Sequence, residues 1–178
     1  MIRKLPKKQY KGMKLDFAYE TDEYYDVEIM EDTDATIRIT RKAFEERKSF
    51  SFTDTLYDAH FENAEAFEYS SGEERMGVLE VNLETWSKRL RITELLVYAK
   101  HRRQGVGTKL MEHAKRIAKE KGCRQVVLET QSRNVPALDF YRKCGFRLIG
   151  LDTACYSNED IQKKEVRLEM GWNVKTKG

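Results

Sequence analysis

A chain of 178 residues, 40% hydrophobic and 35% charged, is long enough to bury a core without disulfide or metal staples. Its 33 basic and 30 acidic residues leave a net charge of +3, too mild to draw a polyanion, so no nucleic acid partner is expected. No apolar run approaches the roughly 20 residues of a membrane span. Met1–Tyr10 lacks the apolar stretch of a secretory signal, and Cys123, Cys144 and Cys155 show no metal spacing, so a reducing cytoplasm is the expected setting.

Residues 1–14 concentrate Arg3, Lys4, Lys7, Lys8, Lys11 and Lys14 and read as a basic tail, whereas residues 20–34 carry eight acids and no base. The acidic run reads as a solvated hairpin or loop; the sharper alternative is a negative rim that concentrates a polycationic substrate. Alternation within residues 14–52, notably Thr36–Thr40, predicts extended segments, with a short helix after Thr53. Ala66–Tyr69 is a strand, Ser70-Ser71-Gly72 a turn, Met76–Leu83 a strand, Ser87–Arg89 a turn and Leu90–Val97 a strand. A helix over Gly105–Lys121 carries the stripe Val106, Leu110, Met111, Ala114, Ile117 and Ala118, and Gly122 ends it. Gln125–Thr130 is a strand, parallel to Leu90–Val97 because a helix connects the two. Val135–Cys144 is a short helix stopped by Gly145, and Phe146–Gly150 and Val166–Met170 are the closing strands. Cys123 and Cys144 read as buried thiols and His101 as a surface histidine. The whole is an α/β chain with a mixed sheet and helices on both faces. Pro6 and Pro136 are its only prolines and no linker interrupts it, so one domain is expected over residues 1–178.

The richest stretch is Arg102-Arg103-Gln104-Gly105-Val106-Gly107, set between a strand and a helix. The first amides of a helix have no internal partner and lie at the positive end of its dipole, so such a turn is an anion site. With Lys100, Arg102 and Arg103 at its lip, it reads as a pyrophosphate cradle for a nucleotide-containing cofactor. A P-loop is excluded because no G-x-x-x-x-G-K-[ST] string occurs. A dinucleotide fingerprint is disfavoured because Gly105-Val106-Gly107 lacks its third glycine.

What remains is R-x-x-G-x-G, which resembles the acetyl-CoA loop of the GNAT N-acetyltransferases. Downstream, Asn134-Val135-Pro136-Ala137-Leu138-Asp139-Phe140-Tyr141-Arg142-Lys143-Cys144-Gly145-Phe146 is similar to the second pattern of that family, N-x-x-A-x-x-F-Y-x-K-x-G-F. The resemblance is strongest over residues 64–171, with residues 1–63 as N-terminal strands and helices of the same domain. Leu128-Glu129-Thr130-Gln131, continuing into Asn134–Ala137, together with Asp152–Tyr156 and Trp86, is similar to the streptothricin acetyltransferase branch. The resemblance implies a GNAT-like fold, acetyl-CoA as cosubstrate, no metal, and a small cationic amine, streptothricin, as acceptor. It leaves a homodimer open. Modification of a protein lysine or N-terminus is the runner-up, and a non-catalytic CoA-binding module the alternative from another class.

Acyl transfer to an amine needs a polarised carbonyl, a neutral amine, a stabilised leaving thiolate and in-line positioning. The resemblance assigns the cofactor to Arg102, Arg103, Gln104, Gly105, Val106, Gly107 and Thr108, to a backbone amide near Leu96 or Val97 for the thioester carbonyl, and to Asn134, Ala137 and Tyr141. It makes Tyr141 the general acid toward the departing thiolate; an ordinary core aromatic is the bland alternative. Asn134 is also a natural helix N-cap. Glu94 and Glu129 are the two candidates for the base, with Glu129 preferred, each with a strand-end ion pair as its bland alternative. Trp86 and Tyr156 are candidates to line the acceptor pocket, where aromatics suit a cation; core packing is an equal reading of Trp86.

Overall fold

The computed structural model describes residues 1–175. In chain order the strands are β1 (Ile2–Leu5), β2 (Lys14–Glu31), β3 (Ala35–Thr55), β4 (Ala64–Ser71), β5 (Glu74–Glu84), β6 (Arg89–Val97), β7 (Gln125–Gln131), β8 (Arg147–Asp152) and β9 (Arg167–Asn173). The helices are α1 (Lys7–Tyr10), α2 (Val106–Glu120) and α3 (Val135–Lys143), with a single 3-10 turn at Ala99–His101. The chain divides into two compact units.

The first unit holds Met1–Phe17, Phe52–Leu128 and, among the described residues, 172–175. Its sheet is mixed. β1 pairs antiparallel with β4 (Leu5↔Ala66), β4 with β5 (Phe67↔Leu79) and β5 with β6 (Gly77↔Val97). β7 then joins β6 in parallel, from Arg89↔Gln125 to Arg91↔Val127, as a helical crossover requires. α2 packs on β5 and β6 with its stripe of Val106, Leu110, Met111, Ala114, Ile117 and Ala118 buried. The other face of the sheet covers a core of Leu5, Leu15, Leu56, Tyr57, Ala66, Val78 and Leu96, with Tyr10 and Phe17 packed on it. Burying a Val, Leu or Phe side chain contributes roughly 1.5–3 kcal/mol, so these two layers are the main source of the unit's stability.

The N-terminal segment is thus part of the core rather than a basic tail. Leu5 is 1% exposed, and Lys4 and Arg3 point outward to Glu65 and Glu68. Four residues with one buried side chain give too little alternation to mark a strand among lysines. The helix expected after Thr53 is absent. β3 runs on to Thr55, and a turn then buries Leu56 and Tyr57. Tyr57 fixes this turn by donating its hydroxyl to Leu5 O while accepting from Ala66 N at 3.0 Å.

The second unit holds Ala18–Ser51 and Glu129–Gly171. Its two long strands pair as a ribbon, with Tyr19 against Phe50 and Tyr24 against Phe44. The first half of the acidic run is ion-paired: Arg47 forks onto Asp22, Arg41 meets Glu23, and Lys42 and Lys164 both hold Asp26. Arg41, Lys42 and Arg47 lie on the returning strand, 16 to 25 residues from their partners, and Lys164 lies 138 residues from Asp26, where a local charge count misses them. α3 carries Asp139 to Arg41 at 3.1 Å and Arg142 to the Tyr25 hydroxyl. β8 and β9 pair antiparallel, Asp152 opposite Arg167. Between them the buried Asp160 ties a loop by accepting from Tyr156 N and Ser157 N.

Candidate active site

In the first unit the chain leaves β6 through the 3-10 turn and reaches α2 by way of Arg102–Gly105. Two left-handed residues, Arg103 at φ 62° and Gly105 at φ 80°, bend it there. Gly105 is the N-cap of α2 and caps no amide by side chain, which leaves the helix start available to an anion. Gln104 donates to Lys100 O at 2.9 Å and Arg102 to Val97 O at 3.3 Å, so side chains of the loop fasten it to its own root. Arg102, Arg103, Gln104, Gly105 and Thr108 are exposed, while Val106 is buried as the loop's anchor. His101 is not a surface residue: it is 7% exposed and shares Glu74 with Lys100. Gly77 makes room for this arrangement. A Cβ there would stand 2.8 Å from Leu96 O and 3.0 Å from side-chain atoms of Val106 and Leu110.

β6 carries an irregularity just before Leu96 and Val97. Glu80 pairs with Glu94, but Val81 pairs with Ile92, so Thr93 is an extra residue, a bulge. Two carboxylates therefore face each other across strands, Glu80 at 1% and Glu94 at 8% exposure. Like charges so placed repel. Glu80 is satisfied by neutral donors, Tyr57 N at 2.6 Å and the Thr93 hydroxyl at 2.9 Å. Glu94 has Asp54 beside it. Burial first, then the charges of Asp54 and Glu80, push its pKa up to about 9, so it holds a proton at neutral pH. Glu94 is one of the two expected base candidates; Asp54, Glu80 and Thr93 were not singled out by sequence. The available signal was a glutamate inside the apolar run Gly77–Leu83.

In the second unit Asn134 caps α3, its Oδ1 accepting from Ala137 N at 3.3 Å. Tyr141 lies two turns on, half-buried beside Phe140 and Phe146. Glu129 is exposed, 3.6 Å from the Arg167 guanidinium. The Tyr156 ring is half exposed, but burial of its hydroxyl and the Glu129 charge push its pKa upward and keep it a proton donor. Cys123 is buried as expected, whereas Cys144 is only half-buried. Trp86 is not a core residue, against the packing alternative. It sits 83% exposed in the β5–β6 turn, at the opposite end of β6 from Leu96, with the Arg89 guanidinium 5.7 Å from its ring. Seven residues of β6, from Arg89 to Leu95, separate the turn from Leu96, roughly 23 Å at about 3.3 Å each. Among the described residues no group of His, Cys, Asp or Glu side chains is arranged to hold a metal, and no helix is long and apolar enough to cross a membrane.

A mixed sheet with a glycine turn opening a helix from its parallel strand is the arrangement expected of the GNAT fold. The profile of the Acetyltransferase (GNAT) family matches residues 33–146, and the chain belongs to that family. Among relatives, it is 40% identical over 80 residues to the streptothricin acetyltransferase of Streptomyces lavendulae, covering 45% of this chain and 42% of that protein. It is 36% identical over 100 residues to that of Escherichia coli, covering 56% and 57%. The matches thus span about half the length of these curated relatives. Among solved structures, a nourseothricin acetyltransferase superposes with a TM-score of 0.77 at 27% identity over 98% of both chains. A Bacillus anthracis protein in complex with acetyl coenzyme A shares the fold, with a TM-score of 0.71 at 23% identity over 97% of this chain and 96% of that one.

Proposed function

We propose that this chain transfers an acetyl group from acetyl-CoA to the primary amine of the β-lysine chain of streptothricin, removing a positive charge and conferring resistance. The observation that carries this reading is the likeness to nourseothricin acetyltransferase along 98% of both chains, which takes in the charged ribbon as well as the family's common loop. The amine nitrogen attacks the thioester carbon; the N–C bond forms, the C–S bond breaks, and the amine's proton passes to a base while the thiolate gains one.

The exposed loop Arg102–Thr108 binds the pyrophosphate, and a backbone N–H at Leu96 or Val97 donates to the thioester oxygen as it gains charge. Asn134 and Ala137 contribute to the cofactor site, and Tyr141 protonates the thiolate. The base is assigned to Glu94 in preference to Glu129. An alkylammonium has a pKa of about 10.4; Glu94, pushed up to about 9 by burial and by Asp54 and Glu80, is a base matched to it, and it lies on the strand that carries Leu96 and Val97. Tyr156 meets the acceptor.

The test is mass spectrometry of streptothricin incubated with the protein and acetyl-CoA. One acetyl group on the β-lysine moiety is expected. Rapid acetylation of peptide lysines or N-termini, with streptothricin untouched, would transfer the case to a protein-modifying enzyme.

A further inference from the structure

The bulge at Thr93 is held from one side by a single buried carboxylate. Glu80 sits on the sheet face that covers Tyr57 and Ala66, and each of its oxygens has its own donor, Tyr57 N on one and the Thr93 hydroxyl on the other. Tyr57 is in turn fixed by its hydroxyl between Leu5 O and Ala66 N. The chain of contacts therefore runs from the core, through Glu80, to the one residue that breaks the β5–β6 register. A bulge redirects the side chains that follow it, and the next residue is Glu94, with Leu96 and Val97 beyond.

Burial pushes the Glu80 pKa up, and its two neutral donors and the Lys7 charge relieve this only in part, so it is an expensive way to join two strands, since apolar residues of the same volume would pack there at no desolvation cost. Its retention makes sense if the bulge must be kept in one geometry. We infer that Glu80 is a positioning residue: through the Thr93 hydroxyl it locks the β6 bulge and so fixes the direction of Glu94 and of the Leu96–Val97 backbone. The inference rests on the acetyl-transfer reading above. It separates two carboxylates that look equivalent in sequence, one committed to the backbone and one left for the acceptor.

Thr93→Val tests this with least damage. It keeps the β-branched shape, removes only the hydroxyl and leaves Glu80 in place; Thr93→Ser restores the hydroxyl. With wild-type protein active on an amine acceptor, Thr93→Val should lower kcat at least about tenfold, with the KM for acetyl-CoA changed less than about threefold and the fold intact by circular dichroism. Thr93→Ser should recover most of the rate. Glu80→Gln gives a second readout. The charged groups that act on Glu94 are Asp54 from β3 and Glu80 from β5, so removing the Glu80 charge should move the pH at which kcat/KM rises toward acid. A Thr93→Val enzyme with wild-type kcat, or one whose loss Thr93→Ser does not repair, overturns the inference. So does a Glu80→Gln profile that falls in amplitude without shifting, which is what a purely structural residue would give. Absence of any amine acetylation by the wild-type protein would instead overturn the reading on which the inference rests.

Discussion

Glu68 and Glu94 are both buried glutamates of one sheet, yet their surroundings are opposite. Glu68 on β4, wholly buried, lies between Arg3 and Arg75. Burial raises its pKa, but the two guanidinium groups outweigh that and hold it below the ordinary range. Glu94 on β6 meets no such cation; its neighbours are Asp54 and Glu80, and it is pushed up to about 9. The first is a compensated charge that serves the fold. The second is a carboxyl group that burial and two like charges keep protonated, the kind of perturbed group that marks a candidate functional site.

The contrast is tested most severely by activity. Glu94→Gln should lower kcat by about 10²–10⁴-fold, the usual contribution of a general base, while Glu68→Gln should leave the turnover of the folded fraction within about threefold of wild type. Steady-state kinetics on both variants decides it; a fully active Glu94→Gln would return the base to Glu129.

The pH profile should show the same thing in another way. The base form of Glu94 exists only as pH rises toward its pKa near 9, so kcat/KM should climb through the neutral range, and this limb should vanish in Glu94→Gln.

Stability should move in opposite directions. Glu68→Gln leaves two arginines short of a partner, one of them 58% exposed, so the loss is expected at about 1–3 kcal/mol, below the value for a fully buried pair. Glu94→Gln should stabilise. The folded pKa near 9 exceeds the ordinary 4.5, so the wild type's Glu94 favours folding fully below about pH 4.5 and loses that advantage progressively up to about pH 9. The variant should therefore gain stability at pH 8, with the gain shrinking toward pH 5. Urea melts at the two pH values measure both effects.

The smallest effect belongs to Glu129. Its pair with Arg167 is solvent-exposed, so Glu129→Gln should change stability by less than about 1 kcal/mol. Under the assignment of the base to Glu94 it should act on the KM of the acceptor rather than on kcat, as kinetics with saturating acetyl-CoA would show.

Local chemistry was readable from sequence; distant pairing was not. The R-x-x-G-x-G turn, the α2 stripe and the Asn134 cap each depend on residues within a few positions of one another, and the structure has them at Gly105, Val106–Ala118 and Ala137. The parallel β6–β7 pair followed from the handedness and length of a helical crossover. The Glu80–Thr93 lock joins residues 13 apart through a register shift that no periodicity reports. Tyr57 N reaches Glu80 from 23 residues away, and the cations that neutralise Asp22, Glu23 and Asp26 lie across the ribbon. The exposure of Trp86 was not legible, because aromatic character says nothing about whether a turn is packed or open.

Gly77 carries a consequence for anyone wishing to redesign the donor loop. The seat beneath the start of α2 has no room for a methyl group, since backbone oxygen as well as side chains close on it. Arg102, Arg103 and Gln104, by contrast, are exposed, and the bonds of Arg102 and Gln104 go to the backbone at the root of the loop rather than into the core. A mutational library that varies those three while holding Gly77 fixed should yield mostly folded proteins with altered acyl-donor affinity. One that varies Gly77 should mainly sample proteins in which the helix has lifted from its sheet.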